Sequence, residues 1–347
     1  MRKTACVMGH FGEGLNLLNG QTVKTKILTN ELQNQFGKEQ ILKIDTHGGW
    51  KSLLKAPFQV LRALKSSTNV VILPAHNGLR VYAPLLRMFR PFYQKRKLHY
   101  VVIGGWLPKF LQKRKGLKRA LSKFDGIYAE TSTMQNALSQ IGLNNVFVMP
   151  NCKNLDVIHQ DQLQKAYQPP YKLCTFSRVM REKGIETAIQ TVQKINAQAG
   201  KTVYCLDIYG QVDAGQTQWF QQLESQFTDE IRYCGCVAPE RSVEVLKDYF
   251  ALLFPTQFYT EGVPGTIIDA YAAGVPVISA KWESFSDVVE DGVTGMGYDF
   301  DQQIQLEEIL QKVARSPETL IDLKENCVKK ANAFLPITAL CVLTKQF

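Results

Sequence analysis

The sequence predicts an α/β protein of two domains, each built on a doubly wound parallel sheet with helices on both faces. Short, continuous apolar runs alternate with helical patterns along the chain, as in parallel sheets that are covered on both sides. The chain has 347 residues, enough for two cores of ordinary size. Hydrophobic residues make up 45% and charged residues 21%, which is typical of globular proteins.

The first half contains six predicted strands. In order, they are the runs TACVMGH, QILKID, NVVILPA, HYVVIGG, DGIYAE and NVFVMP. The Gly-rich stretch GHFGEGLNLLNGQ follows the first strand as a loop, and TVKTKILTNELQNQF then has the pattern of a helix. Ligands of doubly wound sheets bind beyond the carboxyl ends of the strands, so we expect both domains to contribute loops to a shared cleft.

A polar stretch that ends in Pro169-Pro170 is the predicted linker. It divides the chain into an N-terminal domain at 1–168 and a C-terminal domain at 169–325. The strands predicted for the second domain are KLCTFSR, VYCLDIYG, IRYCGCV, FALLFPT and PVISA, with helices between them. The tail at 326–347 is apolar near its end, and we expect a helix there that packs back toward the N-terminal domain.

The spacing of the cysteines and the length of the apolar runs limit the classes of protein to which the sequence can belong. The eight cysteines lack the spacing of a metal site, and the nearest pair, Cys234 and Cys236, is closer than the usual zinc knuckle allows. We expect reduced thiols and a cytoplasmic location. No signal-peptide pattern and no run of about 18–20 apolar residues is visible, so the prediction is a soluble or peripheral protein.

The positive charge is concentrated in one segment. The formal net charge is +10, and between Asp45 and Asp125 there is no acidic residue but there are seventeen Lys and Arg. Such an excess indicates an anionic partner. Aromatic residues such as Phe92 and Trp106 interleave with these cations, and PKFLQKRKGLKRALSKF is predicted to form one cationic surface helix or two.

We expect the segment 87–123 to bind an anionic membrane surface from the cytoplasmic side, because basic, aromatic-rich surfaces bind at lipid headgroups. A merely solvated face is one alternative. Binding of nucleic acid is another, but no recognition motif accompanies the charge, so no nucleic-acid partner is predicted.

Two carboxylates stand eight positions apart in TEGVPGTIIDAYAAGVPVISAKWES. Glu261 lies in the loop after the predicted strand FALLFPT, and Asp269 lies about one turn into the next helix. Pro264 suits the first position of that helix, and Gly274 suits its end.

The helix start is a predicted anion site, because the amides of Gly265 and Thr266 have no partner within the helix and carry partial positive charge. Phosphate suits the position best. Glu261 and Asp269 then flank it, where carboxylates accept hydrogen bonds from the hydroxyls of two sugars that flank a diphosphate. The alternative is a polar loop whose carboxylate interacts with the helix dipole.

The wider pattern carries a family resemblance. PTQFYTEGVPGTIIDAYAAGVPVIS resembles the signature of retaining GT-B glycosyltransferases, especially glycosyltransferase family 4, in which Glu, seven residues and Glu precede Ala-x-Ala-x-Gly-x-Pro-Val. FSRVMREKGIETAI and WESFSDVVEDGVTGMGY are similar to two further family elements, in the same order. NLLNGQTVKT, VVIGGWLPKFL and MPNCKN resemble the bacterial capsule and exopolysaccharide branch.

The resemblance implies the GT-B fold, in which two Rossmann-like domains face a cleft, the N-terminal one binding the acceptor and the C-terminal one the nucleotide sugar. It implies that Arg178 and Lys183 stabilise the leaving diphosphate, that Glu261 holds the transferred sugar and that Asp269 holds the ribose. Further donor-binding positions are Gly265, Thr266, Gly262, Val263, Gly210 and Val237.

The N-terminal half supplies three more candidates. Relatives place a histidine near the donor sugar at a strand end comparable to that of His76, although a loop histidine with a structural hydrogen bond is the alternative. Gly20, with Asn19 before it, is expected to let its loop approach donor or acceptor closely.

The implied activity is transfer of a hexose-type sugar, with retention, from a nucleotide-diphosphate sugar to a lipid-linked saccharide in cell-surface polysaccharide synthesis. No metal or other cofactor is expected: Asp299-Phe-Asp301 has the letters of a metal motif but lies beyond the last family element, as a solvated turn. Pro264 and the short Asp269 depart from the family pattern. The alternatives are a nucleotide-sugar epimerase of the same fold and a non-catalytic sugar-nucleotide binder.

Overall fold

The computed structural model describes residues 2–15 and 20–347. Its β-strands are β1 (Lys3–Gly9), β2 (Ile41–Asp45), β3 (Ser67–Ile72), β4 (Lys97–Val101), β5 (Gly126–Ala129), β6 (Val146–Val148), β7 (Tyr171–Phe176), β8 (Tyr204–Tyr209), β9 (Ile231–Gly235), β10 (Ala251–Phe254), β11 (Val277–Lys281) and β12 (Gly295–Asp299). The predicted strands therefore form, and β12 is one that the sequence did not predict.

The α-helices are α1 (Gly20–Phe36), α2 (Gly49–Leu54), α3 (Ala56–Ser66), α4 (His76–Phe89), α5 (Leu107–Leu111), α6 (Lys115–Leu121), α7 (Ser132–Gln140), α8 (Ile185–Ala199), α9 (Thr217–Glu224), α10 (Ser242–Leu246), α11 (Gly265–Ala272), α12 (Phe285–Val288), α13 (Gln303–Arg315), α14 (Glu318–Ile321), α15 (Lys324–Ala331), α16 (Pro336–Ala339) and α17 (Cys341–Thr344). Short 3₁₀ helices include Arg90–Tyr93 and Arg181–Lys183. The predicted cationic stretch forms the pair α5 and α6.

The chain folds into two compact units. Unit 1 contains the residues up to Asn154 together with Phe334–Phe347, and unit 2 contains Leu155–Ala333. The sequence placed the division at Pro169-Pro170, but the stretch before those prolines packs within unit 2. The Ile158 N–H donates to the Ala272 carbonyl at 3.0 Å, and the buried Leu163 side chain lies over Gly274.

Unit 1 is a six-stranded sheet in the order β2-β1-β3-β4-β5-β6, with every neighbouring pair parallel. Its two faces carry separate cores, because successive strand residues point to opposite sides. In β1, Cys6 and Met8 pack in the core beneath α3 to α7, whereas Ala5 and Val7 pack in the core beneath α1, α16 and α17. Helices thus cover both faces, as predicted.

Unit 2 is a second six-stranded parallel sheet, in the order β12-β11-β10-β7-β8-β9. The strand order reverses where β10 joins β7, and in unit 1 it reverses where β3 joins β1. Two doubly wound parallel sheets confirm the predicted α/β class. In such sheets the reversal point is where loops diverge to leave room for a ligand.

Among the residues that the structure describes, no single helix is long and apolar enough to cross a membrane. Glu318–Phe334 and Pro336–Thr344 meet the requirements of length and composition only when taken together, and the chain bends sharply between them.

Candidate functional site

Predicted site residues of unit 2 collect where its strand order reverses. Arg178 and the 3₁₀ turn Arg181–Lys183 follow β7, and Glu261 follows β10, which is the neighbour of β7. Because parallel strands end at the same edge of the sheet, these two loops lie side by side. This edge is the expected place for a ligand of a doubly wound sheet.

The two loops are fastened to each other through their backbones. Gly184, directly after the 3₁₀ turn, has φ +70°, and a Cβ there would lie 1.9 Å from the Pro255 carbonyl oxygen. The Gln257 N–H also donates to the Glu182 carbonyl oxygen at 2.8 Å. Only glycine permits this approach, so the position of Lys183 is set by the loop after β10.

Lys183 and Glu261 contact each other directly. The Lys183 Nζ forms an ion pair with the Glu261 Oε1, and the two side chains are 17% and 16% exposed. The Thr256 hydroxyl donates to the same carboxylate oxygen at 3.2 Å. The Nζ also lies 5.0 Å from the centre of the Phe258 ring. The sequence predicted that Lys183 binds the diphosphate and Glu261 the sugar. In the structure the two side chains form an ion pair with each other.

The start of α11 is open to an anion. Pro264 occupies the N-cap with ψ 128°, one position before its predicted place, and Gly265 begins the helix. Within residues 2–15 and 20–347, the N–H groups of Gly265 and Thr266 have no hydrogen-bond acceptor. The Thr266 hydroxyl is likewise buried without a partner there. Three hydrogen-bond donors at the positive end of this helix, two amides and a hydroxyl, therefore lack an acceptor among the described residues.

Gly262 and Val263, just before this helix start, are both buried, and Val263 is 5% exposed. They are the two residues that connect Glu261 to Pro264. Their side chains offer no polar group, so any contact with a ligand has to be made by backbone atoms.

Arg178 is more exposed than Lys183. Its side chain is 53% exposed, and its Nη1 lies 3.5 Å from the Asp213 Oδ2. Gly210, at the end of β8, has φ +133°, and a Cβ there would lie 1.9 Å from the Ser177 carbonyl oxygen. The chain at Gly210 therefore passes directly beside the chain that carries Arg178.

The Gly210 N–H donates to the Gly235 carbonyl at 2.8 Å, and Gly235 leads into the turn with the half-buried Val237. The loops after β7, β8 and β9 therefore line one edge of the sheet. Gly210 and Val237 lie on the side of Arg178 that is away from β10.

Asp269 is 2% exposed, in the middle of α11. Its Oδ1 accepts a hydrogen bond from the Ser242 hydroxyl at 3.0 Å. Ser242 begins α10, which packs against α11. The sequence did not predict this contact, because the two residues belong to different helices and share no motif.

His76 belongs to unit 1. It is the first residue of α4, after β3, and its ring stacks on Trp106 with centroids 3.8 Å apart. Burial lowers the pKa of His76 most, and the charges of Arg80 and Arg114 lower it further. A neutral imidazole is therefore favoured. His76 lines a cavity of about 430 Å³ where the strand order of unit 1 reverses.

Gly20, the other predicted residue of unit 1 that the structure describes, begins α1. Among the residues that the structure describes, a Cβ added there would meet nothing within 4 Å, so packing against them does not require a glycine. Asn19 lies outside the described residues.

A pair of histidines beside the same cavity was missed by the sequence reasoning. The His10 Nε2 lies 2.7 Å from the His47 Nδ1, and the His10 Nδ1 lies 2.7 Å from the Thr22 hydroxyl. Asp45 accepts backbone N–H groups from Phe11 and His47, which holds the two loops together. The available signal was position: these residues follow or end the neighbouring strands β1 and β2.

In the part of the chain that the structure describes, no group of three or more His, Cys, Asp or Glu side chains is arranged to hold a metal ion. Asp299 ends the edge strand β12, and its carboxylate accepts a hydrogen bond from the Gln305 amide at 3.2 Å.

Part of the sequence resembles proteins of known type. Residues 170–315 match the family model described as Glycosyl transferases group 1. The amylovoran biosynthesis glycosyltransferase AmsK of Erwinia amylovora is 24% identical over 143 residues, which cover 39% of this chain and 33% of AmsK. The putative colanic acid biosynthesis glycosyltransferase WcaL of Salmonella typhimurium is 26% identical over 140 residues, with 38% and 33% covered. The chain thus spans about a third of the length of these relatives.

Solved structures resemble the whole chain. Anabaena HepE in complex with UDP has a TM-score of 0.75 at 16% identity, with 99% of this chain and 98% of HepE covered. Sucrose-phosphate synthase from Thermosynechococcus elongatus has a TM-score of 0.76 at 15% identity, with the same coverage. At such low identity the likeness shows the fold alone. It confirms GT-B as the fold class.

Proposed function

We propose that the chain is a glycosyltransferase that binds a nucleotide-diphosphate sugar at the carboxyl edge of the sheet in unit 2. The observation that carries the proposal is the Lys183–Glu261 pair beside the open start of α11. A cation, two amides and the Thr266 hydroxyl, the last three without acceptors among the described residues, suit a diphosphate. A carboxylate beside them suits sugar hydroxyls. The match of residues 170–315 to group 1 glycosyl transferases supports the same assignment.

In this proposal the diphosphate binds at the amides of Gly265 and Thr266. Lys183 and Arg178 face it from the loop after β7, Glu261 holds hydroxyls of the transferred hexose, and Asp269 holds the ribose. Gly262, Val263, Gly210 and Val237 contribute backbone contacts. The UDP and glucose named for a complex of HepE are ligands of the proposed kind.

The reaction is transfer with retention of configuration. The acceptor oxygen forms a bond to the anomeric carbon on the face from which the diphosphate departs, and the bond from that carbon to phosphate oxygen breaks. The acceptor proton passes to the departing phosphate. Lys183 and Arg178 stabilise the negative charge that develops on the diphosphate, which is why we propose transfer without a metal ion. His76 is proposed to contact the donor sugar.

We further propose a lipid-linked saccharide as acceptor, reached at the inner face of the cell membrane through the basic segment 87–123. The relatives AmsK and WcaL are named for the biosynthesis of amylovoran and colanic acid, which supports a role in extracellular polysaccharide synthesis. An anionic surface complements a segment that has no acidic residue.

The test is release of nucleoside diphosphate from a panel of nucleotide sugars, with and without membrane lipid extract as acceptor. A transferase releases the diphosphate only when both substrates are present. An epimerase would convert the donor without acceptor, and a non-catalytic binder would bind it without turnover; either result overturns the proposal.

Two matched variants assign the activity to this site. Lys183→Ala removes the cation from the site, whereas Lys194→Ala removes a cation that is paired with Glu307 and lies on α8 in the same unit. We expect Lys183→Ala to abolish release and Lys194→Ala to keep it. Equal activity of the two variants would contradict the assignment.

A further inference from the structure

One face of unit 1 is covered by helices that contain no acidic residue. The core that includes Cys6, Met8 and Tyr100 also includes side chains from α3, α4, α5 and α6, so these helices lie on the same side of the sheet. All of them belong to the segment between Asp45 and Asp125, which lacks Asp and Glu. We call this surface, from α2 to α6 with the 3₁₀ turn Arg90–Tyr93, the acid-free layer.

Large apolar side chains are exposed among the cations of the acid-free layer. Phe92, in the 3₁₀ turn, is 79% exposed, and Phe58, on α3, is 76% exposed. Leu54, at the end of α2, and Met88, on α4, are exposed as well. Helix α3 packs against both α4 and the 3₁₀ turn, so these side chains belong to neighbouring elements. Exposed aromatic groups beside cations match the chemistry of a bilayer interface.

A cavity of about 390 Å³ opens within the acid-free layer. It is lined by Arg87, Arg90, Pro91, Gln94 and Lys123. The Arg90 guanidinium is fixed in place, because it donates to the Asp125 Oδ1 at 2.9 Å and to the Lys123 carbonyl. Within residues 20–347, Arg87 and Lys123 have no acidic partner. Two uncompensated cations and an amide therefore face one opening.

We propose that this cavity binds the phosphate of an anionic phospholipid headgroup, while Phe92, Met88 and Phe58 enter the bilayer around it. The proposal deepens the membrane association proposed above and rests on it. It adds a defined headgroup site, and it extends the contact to α2 and α3, outside the segment 87–123. A bilayer satisfies the charge and the apolar exposure together, whereas free phosphate or nucleic acid satisfies only the charge.

Direct contact and diffuse attraction respond differently to salt. Each Lys or Arg near an anionic surface contributes about a fivefold factor in partitioning, and at 0.5 M salt distant charges are largely screened. Cations in direct contact with a phosphate are screened less, because little salt solution separates the two charges. The headgroup site therefore predicts a residual, salt-resistant binding that depends on Arg87 and Lys123.

The experiment measures sedimentation of the full chain with vesicles of phosphatidylcholine alone or with 30% phosphatidylglycerol (roughly the anionic fraction that gives a strong surface potential), in low salt and in 0.5 M salt. The cavity variant is Arg87→Gln with Lys123→Gln. One control, Lys65→Gln with Arg119→Gln, removes two exposed cations from the same layer outside the cavity. A second, Lys26→Gln with Lys38→Gln, removes two from α1 and the turn after it, on the opposite side of the sheet.

We expect the cavity variant to lose binding to phosphatidylglycerol vesicles at least tenfold in both salt conditions. The control within the layer should lose binding in low salt only, and the control on the opposite side should bind like the wild type. Equal losses for the cavity variant and the control within the layer at high salt would overturn the headgroup site. Tighter binding to single-stranded DNA than to vesicles, or no binding to anionic vesicles, would overturn the bilayer as partner.

Insertion has its own readout. Phe92→Trp should show a blue-shifted emission and quenching by brominated lipid when anionic vesicles are added. Ile337→Trp, at a position that is 65% exposed on α16, on the opposite face of the unit 1 sheet, should show neither. Identical responses would contradict insertion at Phe92. UDP binding by unit 2, measured with the same variants, distinguishes the two proposals. Its loss would indicate that the donor-site proposal or the folding of the variant has failed, and not that the headgroup site is absent.

Discussion

Replacing Glu261 by Gln tests whether the ion pair with Glu261 weakens the binding of phosphate by the Lys183 ammonium. The Glu261 carboxylate neutralises the Lys183 ammonium, and the two side chains are 16% and 17% exposed. A diphosphate has to compete with Glu261 for this ammonium. Gln keeps the size of the side chain and removes the charge, so the ammonium should become available.

The size of the effect follows from the ion pair. A hydrogen bond to a charged group contributes about 1.5–3 kcal/mol net, and partial exposure of both partners places this pair at the low end. About 1.4 kcal/mol corresponds to a tenfold change in affinity. We therefore expect Glu261→Gln to bind UDP about tenfold more tightly than the wild type, although it should lose transfer activity because the contact with the sugar hydroxyls is weakened.

Isothermal titration calorimetry with UDP measures the change. Lys183→Ala should weaken binding at least tenfold, in the opposite direction. The matched control is Glu182→Gln, which removes a charge from the same 3₁₀ turn; its carboxylate bonds the Gln216 amide at 2.9 Å and not Lys183. The reasoning is refuted if Glu261→Gln binds UDP no more tightly than Glu182→Gln, because the ion pair would then have no influence on phosphate.

Three further changes have defined outcomes. Thr266→Val removes a buried hydroxyl that has no partner in the described part of the chain, so it should leave the Tm unchanged or raise it, yet weaken UDP binding by about fivefold. A falling Tm with unchanged binding would contradict the phosphate role. Gly184→Ala should lower the Tm and the UDP affinity together through its contact with Pro255. The control Gly200→Ala is also at positive φ, but a Cβ there meets no described residue within 4 Å, so it should cost only about 1 kcal/mol of stability in denaturant unfolding and keep the UDP affinity. Burial lowers the pKa of Lys324 to about 8, so from pH 8 to 10.5 the unfolded chain binds more protons and the folded chain gains stability as pH rises. Lys324→Met should therefore be about 1–2 kcal/mol more stable than the wild type at pH 7, a figure that allows for loss of the hydrogen bond to the Tyr249 carbonyl. Urea unfolding at a series of pH values measures the difference, which should disappear near pH 10.5. A difference that does not depend on pH would exclude this cause.

The sequence predicted the strands inside both sheets and also the edge strands β2, β6 and β9. β1, β3 and β10 lie inside the sheets and contain continuous apolar runs, which is the pattern of a strand covered on both faces. β12 escaped because its letters, GMGYD, contain no such run. Among the described strands it pairs with β11 alone, so its position depends on backbone register, which composition does not record.

The candidate site was predicted as separate motifs, and the structure adds the contacts between them. Lys183 and Glu261 are 78 positions apart, and each motif can be read without the other. Their pairing depends on β10 lying beside β7, which follows from the order of the strands and not from the spacing of residues. Burial of the Thr266 hydroxyl has the same origin, because packing around the helix start decides which polar atoms lack a partner.

The hydrogen bond that orients Asp269 could not be predicted from the carboxylate motif. It is shorter than the Glu of the resembling family by one carbon–carbon bond, about 1.5 Å, and length alone predicts a weakened contact. Yet its Oδ1 is held by the Ser242 hydroxyl from α10, which fixes the direction of the carboxylate before any ligand arrives. A ribose hydroxyl at Asp269 would then meet a carboxylate oriented from a neighbouring helix. The proposed ribose contact therefore belongs to Asp269 and Ser242 together, and the position of α10 matters to it as much as the length of the acidic side chain.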